Sequence, residues 1–363
     1  METVTVQTGT GSYPVFVGRE ALAQMKEVLS AESAVSRKIL LISDKTVFRL
    51  YGERVTEQLQ ELGEVVVFTV DSGEQAKSFE QYHSIITFAL EKGLNRKSMI
   101  AALGGGVIGD LAGFAAATYM RGIPFIQIPT TLLAHDSAVG GKTGINHPEG
   151  KNMIGAFHQP AAVFFNPQFL ATLPKSELRS GMAEVIKHAL IADASFLSWL
   201  EENPSAIESP TEDQLVKIIT AGIRIKASVV ADDEKETGIR AYLNFGHTLG
   251  HAIEAALGYG KMTHGDAVAA GMLFALWLSK KELGLGINYA KYTSWFQAIG
   301  FPSNIPGGLS SEQLLTLMAA DKKADSGAIR MVLLNEIGSP VIKSFLPEKL
   351  KSLLEAFRKG EAA

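Results

Sequence analysis

The chain has 363 residues, 46% of them apolar, which is too long for one ordinary core and predicts two domains. A net charge of −4 with no basic stripe argues against nucleic acid as the main partner, and the lack of cysteine excludes disulfides and thiolate metal sites. The N-terminus has no basic region ahead of an apolar core, and the longest apolar run, Ala267 to Leu278, falls short of the roughly 20 residues that span a bilayer, so a soluble cytoplasmic protein without a membrane partner is expected.

Extended runs at Val4–Gln7 and Pro14–Val17 predict an N-terminal hairpin. Arg19 to Ser30 has helical spacing. Lys38–Ser43, Glu64–Val70 and Ser98–Leu103 are compact apolar runs of the kind that form buried parallel strands. Helical patterns over Thr46–Leu62 and Phe79–Lys92 separate them, so the N-terminal half reads as a Rossmann-like α/β domain with a largely parallel sheet. Phe125–Pro129 and Ala162–Pro167 are further strands, and residues 134–152 between them read as loops rich in glycine and hydroxyls.

Leu173-Pro174 marks the expected boundary, giving an α/β domain over 1–174 and a mainly α-helical domain over 175–363, with the active site in the cleft between them. Helical patterns there cover Ser176–His188, Thr211–Ala231, the histidine-bearing run from Asn244, Ala267–Leu283 and a stretch ending at Asp321. Arg330–Leu334 and Pro340–Phe345 read as short strands, and Pro347–Arg358 as a closing helix.

Three places carry chemistry. Gly104-Gly-Gly-Val-Ile-Gly-Asp110 joins a strand to a helix, where glycines admit a close ligand and free N–H groups face an anion such as a pyrophosphate. A tight turn that needs only small residues has the same composition. Asp44, at another strand end, is placed to accept from a ribose hydroxyl, and Asp71 to Lys77 lies at the same edge. Gly141-Lys142-Thr143 looks like the end of a P-loop, but Asp136 stands where the leading glycine belongs.

In the second domain His247 and His251 are four apart on a helix and project from one face, with His264 shortly after. Imidazoles with a carboxylate suit Zn²⁺ or a similar ion, and Glu184, three residues before Lys187, is the best carboxylate candidate. Two histidines bonded to their neighbours would show the same spacing. The lysines and arginine at 142, 151, 187, 226, 240 and 322 exceed what an alcohol needs and suggest a substrate with carboxylate and phosphate.

At this point the residues resemble a known family. Gly104–Asp110, Pro129–Leu133, Val139–Thr143, Gly150–Phe157, Ala183–Lys187 and Asn244–Glu254 resemble the 3-dehydroquinate synthases, in that family's order and over nearly the whole chain. The resemblance implies cyclisation of 3-deoxy-D-arabino-heptulosonate 7-phosphate to 3-dehydroquinate with release of phosphate. It implies catalytic NAD⁺, one Zn²⁺ or Co²⁺, and a homodimer. The implied metal ligands are Glu184, His247 and His264, which makes His251 a substrate or proton-relay residue. Asp136, Lys142, Lys187, Lys226, Arg240, Asn244, His251 and Lys322 (or Lys323) match substrate and catalytic positions. Asp44, Ser72, Gly73, Glu74, Gln75, Lys77, Gly105, Gly106, Val107, Ile108, Gly109 and Asp110 match NAD contacts. So do Thr130, Thr131, Lys142, Lys151, Asn152, Phe169, Thr172 and Glu177.

The chain departs from the family pattern at Ala76, where an aromatic is frequent, in a shortened 133–136 segment, and at Asp266, where glutamate is usual. The competing expectations are a related sugar phosphate cyclase that makes a cyclitol, a metal-dependent polyol or alcohol dehydrogenase of similar fold, and a catalytically dead binding protein.

Overall fold

The computed structural model describes residues 1–30, 37–258, 260–321 and 327–362. These divide into two compact units, Met1–Pro174 with Glu212–Lys235, and Lys175–Thr211 with Glu236–Ala363. The first division between the units falls after Pro174. The second domain does not run unbroken to the C-terminus, because one helix returns to the first unit.

The strands of the first unit are β1 (Glu2–Thr8), β2 (Gly11–Val17), β3 (Arg37–Asp44), β4 (Gly63–Val70), β5 (Met99–Gly104), β6 (Phe125–Pro129), β7 (Lys142–His147), β8 (Gly150–Phe157) and β9 (Ala162–Phe165). In the second unit β10 (Ile329–Glu336) and β11 (Ser339–Phe345) form an antiparallel pair. The helices include α1 (Phe79–Glu91), α2 (Gly106–Thr118), α3 (Lys175–Ala192), α4 (Glu212–Asp232), α5 (His247–Leu257) and α6 (His264–Leu283). Among the described residues no helix is long and apolar enough to cross a membrane.

Seven strands form one sheet in the order β1-β2-β9-β6-β5-β3-β4, parallel except for the β1–β2 hairpin. Successive residues of β3 alternate between two cores. Leu40 and Ile42 pack with Ile100, Ala102 and Ile108 on one face, and Ile39 and Leu41 with Met99, Leu103 and Ile128 on the other. A strand covered on both faces needs an unbroken apolar run, which is why these segments were legible. The order reverses at β3 and β5, since the chain leaves β3 for β4 on one side and returns to β5 on the other. Open α/β sheets bind ligands at the carboxyl ends of such a pair.

Two sequence expectations are corrected. The stretch read as loops contains a two-stranded antiparallel hairpin, β7–β8. Gly144 and Gly155 face each other in it, and a Cβ on Gly155 would lie 2.4 Å from the Thr143 carbonyl oxygen. The close crossing requires glycine, and glycine erases the usual strand signal.

Helix α4 belongs to the first unit. It packs on β1, Leu215, Ile218 and Ile219 are buried along it, and the pairs Arg19–Glu212, Arg224–Glu2 and Lys226–Asp136 tie it to the same unit. Sequence neighbours suggested helical company instead, and an apolar stripe does not name its partner.

The second unit is built around α6, which packs against both α3 and α5. A Cβ on Gly265 would lie 2.2 Å from the Ser180 carbonyl oxygen, and one on Gly271 would lie 1.9 Å from that of Gly246. Gly246 itself turns at a φ of +81° ahead of α5. Glycines at these crossings let α6 approach its neighbours at backbone distance and bring the starts of α5 and α6 to the middle of α3.

Candidate active site

Glu184 lies on α3, His247 opens α5, and His264 opens α6. One donor atom from each lies within 4.8 Å of the others. Glu184 Oε1 is 3.4 Å from His247 Nε2 and 3.5 Å from His264 Nε2, too long for good hydrogen bonds, and it has no hydrogen-bond partner although buried. Ligands about 2.0–2.1 Å from a tetrahedral ion stand about 3.3–3.4 Å apart. The spacing therefore fits two edges of a tetrahedron around a divalent ion.

The outer contacts fit as well. Glu184 Oε2 accepts from the buried Lys187 Nζ. His247 Nδ1 faces the Phe245 carbonyl at 3.2 Å, and His264 Nδ1 faces Glu254 Oε2 at 2.9 Å. With the proton on each Nδ1, both Nε2 lone pairs point at Glu184 Oε1. Carboxylates and carbonyls commonly orient metal-binding imidazoles in this way.

Burial would raise the Glu184 carboxyl, but Lys187 and His247 outweigh it and hold the group well below its usual range. Burial pushes His247 down to about 4 despite Glu184. Burial also opposes charge on His264, yet Glu184 and Glu254 lift it to about 10. Two buried carboxylates thus call for positive charge at this point, which a divalent ion satisfies.

His251 stands beside this trio, with ring centroids 5.2 Å from His247 and 5.9 Å from His264. It forms a second three-donor group with Glu254 and His264, but the contact between Glu254 and His264 Nδ1 makes that group an outer support. Arg240 is almost fully buried, and Asn244 Nδ2 donates to Glu236 Oε1 at 3.1 Å. Lys322 and Lys323 lie outside the described residues.

The nucleotide candidates of the first unit gather at the switch point. Asp44 ends β3, and its Oδ1 accepts from the N–H groups of Thr46 and Val47 and from Ser72 Oγ. It therefore caps the following helix. Gly105 caps α2 with no side-chain partner, so the first-turn N–H groups keep their positive field open to an anion. Thr131 crowds the Cβ position of Gly105 at 2.8 Å, and Ser137 that of Gly106 at 2.9 Å. Val107, Ile108 and Gly109 continue that turn, and the buried Thr130 hydroxyl has no hydrogen-bond partner.

Lys77 is buried, donates to Asp110 Oδ2 at 2.7 Å and to Asn152 Oδ1, and lies 3.9 Å from Glu74 Oε1. Burial raises the Asp110 carboxyl, while Lys77 draws it back. Gly73 turns at φ +110°, and Gln75 Nε2 donates to the Ser72 carbonyl. Ala76 is buried in the apolar core. Lys226 Nζ contacts the Asp136 carbonyl at 2.5 Å and its carboxylate at 2.9 Å.

Lys142 is exposed at the start of β7, and Lys151 is half-buried on β8. Phe169 lies in the apolar core against Tyr51, whose hydroxyl bonds the Phe169 carbonyl and the exposed Thr172. Glu177 is exposed in the first turn of α3, in the other unit.

Sequence reasoning missed Glu254 and Asn146. Glu254 is seven residues after His247, two turns along the same helix, and that spacing was the available signal. Arg179 was also missed. It binds Asp266 through two contacts of 2.8 Å, so the unusual aspartate anchors α6 to α3 beside His264.

Comparison with known proteins decides the family. The model of the 3-dehydroquinate synthase N-terminal region matches residues 67–180, and that of the C-terminal region matches 181–324. The chain belongs to the 3-dehydroquinate synthase family.

The 3-dehydroquinate synthases of Bacillus cytotoxicus and Bacillus mycoides are each 50% identical over 359 residues, covering 99% of this chain and 97% and 99% of theirs. A solved 2-deoxy-scyllo-inosose synthase, complexed with carbaglucose-6-phosphate, NAD⁺ and Co²⁺, superposes with a TM-score of 0.88 at 26% identity, over 99% of this chain and 100% of its own. A 2-epi-5-epi-valiolone synthase from Streptomyces hygroscopicus with NAD⁺ and Zn²⁺ gives 0.85 at 26% identity, over 96% and 97%. An iron-containing alcohol dehydrogenase from Thermotoga maritima, at 18% identity and 0.69, shares the fold.

Proposed function

We propose that this member of the 3-dehydroquinate synthase family converts 3-deoxy-D-arabino-heptulosonate 7-phosphate to 3-dehydroquinate and phosphate, a step of aromatic amino acid biosynthesis. The observation that carries the reading is the trio Glu184, His247 and His264, with an orphaned carboxylate oxygen between two correctly turned imidazoles. These residues would hold one Zn²⁺ or Co²⁺. NAD⁺ would lie at the β3–β5 switch point, against α2, Asp44 and the Glu74–Lys77 loop.

These groups would supply Lewis acidity and a reversible hydride acceptor, so that the overall change is redox-neutral. Lys187 keeps Glu184 ionised and aimed. Glu254 and the Phe245 carbonyl hold the imidazole tautomers. His251, beside both ligand histidines, is the residue suited to relay a proton. Arg240, Lys187, Asn244, Lys142 and Lys226 would supply charge and hydrogen bonds for carboxylate, hydroxyls and phosphate. A cytoplasmic homodimer completes the proposal.

The deciding experiment follows phosphate release from the heptulosonate phosphate, with zinc or a chelator and with NAD⁺ supplied. Metal-dependent release without net NADH supports the reading. No release, or steady NADH formation from a simple polyol, would assign the site to a cyclitol synthase or a dehydrogenase.

A further inference from the structure

We propose that Asn146 is a positioning residue for the nucleotide site, holding Glu74 and Asn152 in place around Lys77 from a bulge in the β7–β8 hairpin. The inference rests on the NAD⁺ reading above. Asn146 falls where the hairpin register shifts between Ile145 and His147, so it has no Cα partner on β8. Bulges re-aim a side chain and are common beside active sites. The freed backbone N–H of Asn146 donates to the Lys77 carbonyl at 2.8 Å.

Both ends of the side-chain amide are used. Nδ2 donates to Glu74 Oε1 at 2.8 Å, and Oδ1 accepts from the backbone N–H of Asn152 at 2.9 Å. Asn152 holds a φ of +56°, a left-handed conformation that asparagine tolerates but that needs support. Lys77 Nζ closes the ring by donating to Asn152 Oδ1 while paired with Asp110 on α2. One amide therefore locks a loop from β4, a turn from β8 and the first turns of α2 into one arrangement. Aspartate in its place would keep the acceptor but set a carboxylate against Glu74.

The test measures NAD⁺ affinity by titration calorimetry on the zinc-loaded full chain. Asn146→Ala should weaken NAD⁺ binding about tenfold to a hundredfold through lost preorganisation, with zinc content and kcat at saturating NAD⁺ within about twofold. Asn146→Asp should be worse than Asn146→Ala. The double variant Asn146→Asp/Glu74→Gln reverses donor and acceptor, and should bind more tightly than Asn146→Asp alone.

Hydrogen exchange should rise in residues 72–77 of Asn146→Ala while β3 and β5 stay protected. That readout separates loosening of the loop from global unfolding. Wild-type affinity in Asn146→Ala, or a double variant no better than Asn146→Asp, overturns the proposal and leaves the NAD⁺ reading standing. A wild-type chain that binds no NAD⁺ overturns both.

Discussion

Gly271→Ala is the sharpest test of how the helices build the proposed metal site. A Cβ at 271 would lie 1.9 Å from the Gly246 carbonyl oxygen, whereas ordinary contact begins near 3.4 Å. The start of α5 must therefore retreat by about 1.5 Å, and the next residue is His247. Metal–ligand distances tolerate about 0.2 Å. The variant should lose zinc affinity by about a hundredfold, or roughly 2.7 kcal/mol, and lose about 1–3 kcal/mol of folding stability through overpacking.

The assay is zinc competition against a chromophoric chelator, with urea unfolding alongside. Gly286→Ala is the control, since a Cβ there meets nothing within 4 Å. If Gly271→Ala binds zinc within threefold of wild type and unfolds like the control, the glycine crossing does not set the ligand geometry.

Glu254→Ala should weaken zinc about tenfold to a hundredfold by releasing His264 Nδ1, measured in the same competition assay. Lys226→Ala should cost about 2 kcal/mol in urea unfolding, because it removes the ammonium paired with the partly buried Asp136 carboxylate; this is below the roughly 3–5 expected for a fully buried pair. Glu282 has a carboxyl lowered by Lys349, against burial, and by Lys343. Its folded value lies below its unfolded one, so its contribution is present above about pH 4.5 and is lost as pH falls through the folded value. Glu282→Gln should therefore destabilise by about 1 kcal/mol at pH 7, and the gap should close in urea melts run progressively below pH 4.5.

The central strands were legible because they are apolar on both faces, and β3 stops at a polar residue, Asp44. The hairpin β7–β8 was not, because glycines that permit its close crossing also hide it. Spacing alone yields only part of the proposed metal trio, which the family resemblance supplies in full. Spacing pairs His247 with His251, but the structure brings His264 rather than His251 to Glu184, because Gly265 and Gly271 draw the start of α6 against α3 and α5. Helix-to-helix distances have no one-dimensional signature, and neither does the reach of Asn146 from a bulge to a loop about seventy residues earlier.

The return of α4 to the first unit has a consequence for anyone who would dissect the chain. The polypeptide passes between the two units three times, after Pro174, Thr211 and Lys235, so no single cut yields two intact halves. A fragment ending at Pro174 would leave the β1 surface bare where α4 normally rests, and would lack Lys226 beside Asp136. Its exposed oily strip at a sheet margin would invite clumping rather than autonomous folding. Rejoining residues 1–174 to 212–235 through a short flexible bridge, with the intervening helices left out, is the truncation that respects how the molecule is wired.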